Sequence, residues 1–407
     1  MSALIAALPV ALSPADSARA VAEVYSISLL ATVPLATVGG AVIVLHRASA
    51  ETRALLWRST VVALLLIYFG HLSLQQGLSL EVPTMLALPL VALGRVQLSA
   101  APYVANGAAN DNAPAASVVA WALLFAYAVG VVTVLITVLR GWLAARAVVG
   151  RARQVSNPCW LALAAEVQAT LGIRRAVPLM QTSELRMPAT CGIWRPVVLL
   201  PENATVWPDG DVRAVLLHEL AHVRGRDIAF ALLGTLACAL YWFHPGVWLV
   251  AKSLHDDSEH ACDNRVLSAG IRPSEYAALL ADVADGCSYG AVAAPFGGRR
   301  GWNGGSLRGR LAAIVDQRLS RATPTRGAVI AVALTTLVIG VPTSVARLSP
   351  TRELLTRLMA DRAWETRAYA VIGLARRTDS VAVVRDAAAL DPSPRVRAMA
   401  VAALDLH

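Results

Sequence analysis

The chain has 407 residues, of which 56% are hydrophobic and only 15% charged, and its mean hydropathy is +0.56. Soluble chains carry about 25% charged residues, so much of this one is not an ordinary soluble core. The formal charge of +9 comes from arginine, with Lys252 the single lysine, and the arginines flank apolar runs. That pattern disfavours a nucleic-acid groove and fits basic loops beside membrane spans, so no direct nucleic-acid partner is expected.

The five cysteines, Cys159, Cys191, Cys238, Cys262 and Cys287, are scattered and contain no C-x-x-C. They argue against a disulfide framework or a cysteine zinc knuckle and read as buried thiols in a reducing compartment. Met1–Ala20 has an apolar patch but no basic start, so a cleaved signal peptide is not expected.

A helix needs about 20 apolar residues to cross a bilayer. Val24–Leu45, Ser59–Leu80 and Ala115–Leu139 each qualify without an acidic residue, lysine or arginine, and Gly327–Ala346 makes a fourth. Val82–Leu93 is short and interrupted by proline, and reads as a loop or re-entrant piece. Arg47, Arg53 and Arg58 lie between the first two spans. Arg140, Arg146, Arg151 and Arg153 follow the third, and Arg299, Arg300, Arg308, Arg310 and Arg318 precede the fourth. The charge bias places the amino terminus outside and the segment after Arg140 in the cytoplasm.

That segment opens with a helical stretch at Leu161–Leu171. Two strand-like runs follow, Ala176–Met180 and Gly192–Leu200, of which Gly192–Leu199 could be an edge strand for an extended substrate or a plain core strand. A helix begins near Asp209–Asp211 and carries His218-Glu219-Leu220-Ala221-His222. Residues four apart share a helix face, so both histidines can aim an imidazole nitrogen at one zinc ion. Glu219 is placed to take a proton from a metal-activated water.

Zinc in a catalytic site takes a third protein ligand, and the candidate is Glu259. Between it and His222 lies Ile228–Val250, apolar enough to resemble another span. A single crossing would put Glu259 on the wrong side of the bilayer. His244-Pro245-Gly246 breaks the helix, so Ile228–Phe243 and Val247–Leu267 are expected to form a hairpin that returns. Asp227 and Asp263 are candidates to hydrogen-bond the ligand histidines. His244, His255 and His260 are candidate transition-state donors, and Cys262 reads as a small buried residue.

These motifs together resemble the BlaR/MecR-type membrane metallopeptidase family: His218 to Asp227, then Trp242-Phe243-His244-Pro245, then Glu259-x-x-Cys262-Asp263, preceded by the strand segment Pro188–Pro201. The resemblance runs from about Ala20 to Ala346. It implies a gluzincin-type site on the cytoplasmic side, one zinc ion held by His218, His222 and Glu259, and Glu219 as base. It also implies cleavage of a cytoplasmic repressor, or of the protein itself, after an outside signal.

After Arg347 the sequence becomes charged and alanine-rich. The stretch from Trp364 resembles that from Pro394, with Arg367 and Arg397 30 positions apart, a spacing similar to HEAT-type helical repeats. One full repeat and a fragment bury little surface, so such a tail implies a protein partner, self-association or a truncated chain. Neither S-x-x-K nor K-T-G follows the last span in this sequence, so the resemblance lends no support to a beta-lactam-sensing role.

The expected fold is therefore mainly α, a polytopic membrane protein with about four spans. Residues 1–140 form an anchor with three spans, 141–320 a small α+β zinc peptidase domain, 321–347 the fourth span and 348–407 the helical-repeat tail. The expected location is a bacterial-type inner membrane, with the site facing the cytoplasm. The alternatives are a housekeeping membrane quality-control zinc protease, or a non-enzymatic receptor or scaffold working through its repeats.

Overall fold

The computed structural model describes residues 14–45, 48–73, 79–100, 113–285, 307–316 and 318–404. Arg47, Cys287, Arg299 and Arg300, and most of Met1–Ala20, lie outside these. In chain order the elements are α1 (Pro14–Val44), α2 (Ala50–Ser73), β1 (Ser79–Val82), α3 (Thr84–Ala100), α4 (Ala113–Arg151), β2 (Arg153–Gln154), α5 (Pro158–Thr170), β3 (Leu179–Thr182), β4 (Ala189–Cys191) and β5 (Val197–Pro201). There follow α6 (Asp209–Gly225), α7 (Asp227–Leu240), α8 (Pro245–Ser268), α9 (Pro273–Asp285), α10 (Leu307–Val315), α11 (Arg326–Val345), β6 (Arg347–Pro350), α12 (Arg352–Leu358), α13 (Trp364–Ala375), α14 (Val381–Leu390) and α15 (Pro394–Leu404). The protein is mainly α and polytopic. Four helices among the described residues are long and apolar enough to cross a membrane: Arg19–Val44, Ala50–Ser73, Val118–Arg151 and Arg326–Ser344.

The chain divides into two units, residues 1–30, 69–129 and 342–407 in one, and 31–68 and 130–341 in the other. In the first, β1 pairs in parallel with β6, Ser79 opposite Arg347 and Val82 opposite Pro350. The segments that follow α2 and α11 therefore meet. Arg377 reinforces the meeting, pairing with Glu81 and donating to Pro350 O at 2.9 Å. Of Val82–Leu93, read as a loop or re-entrant piece, Val82 ends β1 and the residues from Thr84 on are helical, in α3. Pro83 sits just before its first turn, its carbonyl accepting from Leu86 and Ala87, and Pro89 is carried inside the helix.

The tail helices α12 to α15 pack around Leu355, Ala368, Val371, Leu374, Val384 and Val396. One contact recurs at the 30-residue spacing. Arg367 Nη1 donates to the carbonyls of Asp361 and Arg362 at 2.8 and 3.0 Å, and Arg397 Nη1 to those of Asp391 and Pro392 at 2.7 and 3.3 Å. Each aspartate in turn accepts from the backbone N–H two residues on, Ala363 or Ser393, at 2.8 Å. Arg367 also reaches Asp391, linking one pair of helices to the next.

In the second unit a four-stranded sheet runs β2-β3-β5-β4, with β3 and β5 parallel and β4 an edge strand antiparallel to β5. Gly192–Leu199 is thus not the edge. Gly192, at φ +91, has no room for a Cβ, which would lie 2.5 Å from Arg195 O, so the chain turns there and re-enters the sheet at Val197 as an inner strand. Helix α6 lies buried among β5, α5, α9 and α10, with Leu216, Leu217 and Leu220 packed against Val198, Leu200, Trp160, Val167, Tyr276 and Ile314. Each such leucine contributes about 1.5–3 kcal/mol. Together they fix the rotation of the helix that carries His218 and His222.

Helices α7 and α8 form the expected hairpin. At 14 residues α7 is too short to span a bilayer, and the chain breaks at Tyr241–His244. His244 starts α8, its Nδ1 accepting from Gly246 N–H at 3.2 Å, with Pro245 in the first turn. The hairpin packs on α2 through Trp57, Val61, Phe230, Leu233, Val250 and Leu254. Tyr241 Oη donates to Leu64 O at 3.0 Å.

Candidate metal centre

Two acidic residues, Asp209 and Asp211, occupy the first turn of α6 and favour the positive end of its dipole. The helix ends where Arg226 takes a left-handed conformation at φ 54, its N–H returning to the carbonyls of His222 and Val223. This tight join starts α7 at Asp227 and brings that carboxylate back under His222. Gly225 allows it, because a Cβ there would lie 2.6 Å from Asp227 Oδ1.

His218 Nε2 and His222 Nε2 lie 3.3 Å apart. Glu259, delivered by α8, places Oε2 3.6 Å from His218 Nε2 and Oε1 3.4 Å from His222 Nε2. Donor atoms bound at about 2.0–2.1 Å to a tetrahedral ion are separated by roughly 3.3 Å, so this set fits zinc without rearrangement. The outer faces of both imidazoles are held by carboxylates. His222 Nδ1 is 2.8 Å from Asp227 Oδ2 and His218 Nδ1 is 3.2 Å from Asp263 Oδ1. With a metal ion displacing the proton from Nε2 and the other kept on Nδ1, each Nε2 lone pair would face the shared point, the arrangement metal-binding histidines use.

The structure thus brings together His218, His222, Glu259, Asp227 and Asp263. Glu219 follows His218 directly and is buried, with Oε2 accepting from Thr190 Oγ1 at 2.8 Å. His244 is a helix cap, and His255 and His260 hydrogen-bond to none of these residues. Cys262 Sγ–H points at Asp227 Oδ2 from 3.6 Å. Burial, then the neighbouring Asp227 and Glu259, push its thiol well above the ordinary range, so it stays a neutral donor.

Four contributors were not singled out for the site by sequence; Thr190 lies within the strand segment Pro188–Pro201, and Tyr276, Arg310 and Arg58 lie in none of the motifs. Tyr276 Oη donates to Asp263 Oδ1 at 2.7 Å and stands 3.0 Å from His218 Nδ1. Arg310 forks onto Asp263 through Nε and Nη2 at 2.8 and 2.6 Å, and its Nη1 reaches Glu259 Oε2 at 3.0 Å. Thr190 comes from edge strand β4, and Arg58 from α2, with Nη2 2.5 Å from Asp227 Oδ1. Their sequence separations from the motif run up to 169 residues, so only the fold assembles them.

The electrostatics follow. Burial alone would lower His218, but Asp263 and Glu259 outweigh it and raise it to about 10. Burial would raise Glu259, yet His222, Arg310 and His218 hold it well below the usual carboxylate range. Asp263 is likewise held low against burial by His218 and Arg310. The cluster is therefore a nest of ionised carboxylates that demands cations, a donor set suited to a divalent ion.

Residues 22–313 match the family model described as BlaR1 peptidase M56. The chain belongs to that family. Within it, the chain is 30% identical to the regulatory protein BlaR1 of Bacillus licheniformis over 113 residues, 28% of this chain and 19% of that one. It is 25% identical over 95 residues to the methicillin resistance mecR1 proteins of Staphylococcus aureus and Staphylococcus epidermidis, 23% of this chain and 16% of each relative. The match thus spans less than a fifth of the length of these curated relatives.

Proposed function

We propose that this M56 family member is a membrane-embedded zinc-dependent endopeptidase, with one zinc ion held by His218, His222 and Glu259 and with Glu219 as general base. The observation that carries this reading is the convergence of the two Nε2 atoms and the Glu259 carboxylate at 3.3–3.6 Å, with each Nδ1 facing a carboxylate. Bound zinc supplies Lewis acidity to a water and to the peptide carbonyl. Glu219 takes the proton of the attacking water and passes it to the leaving amine, its carboxylate steadied by Thr190 through Oε2. Asp227 and Asp263 keep the imidazoles in the tautomer that offers Nε2. The open edge of β4, beside Glu219, suits an extended stretch of substrate.

The substrate in this reading is a cytoplasmic repressor, or the chain itself, cut in response to a signal. The site faces the cytoplasm of a bacterial inner membrane. The recurring arginine clamp in the tail supports a HEAT-like module that engages a protein partner.

The test is to express the full chain in membranes, measure zinc per chain, and compare wild type with Glu219→Gln for cleavage of itself and of a co-expressed repressor. One zinc per chain in both and cleavage only in wild type is the expected result. Equal cleavage by Glu219→Gln overturns the catalytic assignment.

A further inference from the structure

The metal centre has a partner in a membrane-spanning helix. Arg58 lies in α2, and its Nη2 donates to Asp227 Oδ1 at 2.5 Å, while the other oxygen of that carboxylate lies 2.8 Å from His222 Nδ1. The side chains of Arg58 and Asp227 are only 20% and 11% exposed, and the Arg58 guanidinium stacks on Phe230 with 5.0 Å to the ring centroid. Nearby contacts join the same end of α2 to α8 without touching the ligands' partners. Arg53 donates to Asp257 Oδ1 at 2.7 Å, Trp57 donates to Asp257 Oδ2 at 2.9 Å, and Glu51 pairs with Arg265. Two jobs are therefore divided along one helix. Arg53 and Trp57 fasten α2 to α8, whereas Arg58 continues to a carboxylate that orients His222.

We propose that Arg58 is a positioning residue of the metal centre, acting through Asp227 on His222. The proposal rests on the reading of His218, His222 and Glu259 as the ligand set. A carboxylate anchored at one oxygen still swings about its own axis; a cation on the opposite oxygen removes that freedom and offsets the charge buried beside the ligand. Arg58 thus makes the orientation of His222 depend on where α2 stands. A shift of α2 reaches the imidazole through two hydrogen bonds in series, so a membrane helix has a direct hold on metal geometry.

The experiment uses the full chain purified from membranes, with zinc affinity measured by competition against a chelator and the ligand-field spectrum recorded after cobalt substitution. Arg58→Gln is expected to weaken zinc about tenfold and to shift the cobalt spectrum in the same sense as Asp227→Asn. In the Asp227→Asn background, Arg58→Gln should add little. Arg53→Gln, which loosens the helix contact alone, should leave the spectrum unchanged. An unchanged spectrum and affinity in Arg58→Gln overturn the proposal, as does an Arg53→Gln effect equal to it. If Arg58→Gln does not accumulate, Arg58→Lys decides: a displaced cobalt spectrum supports the proposal and a wild-type one overturns it. A wild-type chain that binds neither metal sinks the ligand assignment itself, a failure distinct from that of Arg58.

Discussion

Thr190 Oγ1 lies 2.8 Å from Glu219 Oε2 and 3.0 Å from the Glu219 carbonyl oxygen, so the single hydroxyl proton on the edge strand is shared between the carboxylate and the backbone of the proposed base, with the carboxylate nearer. A hydrogen bond to an ionised group contributes about 1.5–3 kcal/mol. Thr190→Val should lower kcat about tenfold or more with zinc content unchanged, and Thr190→Ser should restore most of it. Kinetics beside metal analysis check this; a variant that loses zinc and activity together would point to a fault in the fold rather than in the base.

Gly225→Ala should disturb the metal without touching a ligand. The new Cβ would fall 2.6 Å from Asp227 Oδ1. That carboxylate is pinned between His222 and Arg58, so it can retreat only by giving up one of them. Loss of such an outer partner weakens metal binding by about 10–100-fold. Gly225→Ala should therefore bind zinc at least tenfold more weakly, measured by chelator competition, with the helix content unchanged by circular dichroism.

The helix that carries His218 and His222 and the return hairpin were legible because both rest on local rules. His218 and His222 share a face by their spacing, and Glu259 can join them only if Ile228–Val250 turns back at His244-Pro245-Gly246, as it does. Strand boundaries were less legible. The run Ala176–Met180 is paired only from Leu179, and Gly192–Leu200 splits because its glycine and Pro196 favour a turn that tertiary packing then uses. Arg58, Tyr276 and Arg310 were not legible, since nothing local distinguishes an arginine or tyrosine bound for a buried carboxylate from one bound for solvent, and Thr190 lay in the strand segment Pro188–Pro201 without a sign of its partner.

Arg310 should matter most when the metal is gone. Its guanidinium answers both Glu259 and Asp263, sharing that task with His218 and His222 when no metal ion is bound. Removing one partner of a buried ion pair costs about 3–5 kcal/mol. Arg310→Met should lower the unfolding temperature of the chelator-treated protein well below that of treated wild type. Zinc should narrow the difference, because the ion takes over the charge at Glu259. Thermal unfolding with and without chelator checks it, and an equal deficit in both states refutes the charge argument.

In the tail, Asp391 should set an acid limit. Burial acts to raise its carboxyl, but hydrogen bonds from Arg367 and the Ser393 N–H outweigh burial and hold it below the usual range. A depressed carboxylate contributes stability that is fully present above its unfolded value of about 3.9 and is lost as pH falls through the lower folded value. The tail should therefore become protease-sensitive as pH falls below about 4. Asp391→Asn should be less stable at neutral pH, by about 1–3 kcal/mol for the lost charge-assisted contacts, and should show little further change across the acid window. Limited proteolysis of the full chain with an acid-active protease, followed at the junction between α13 and α14, distinguishes the two; identical acid profiles for wild type and Asp391→Asn would remove Asp391 from the account.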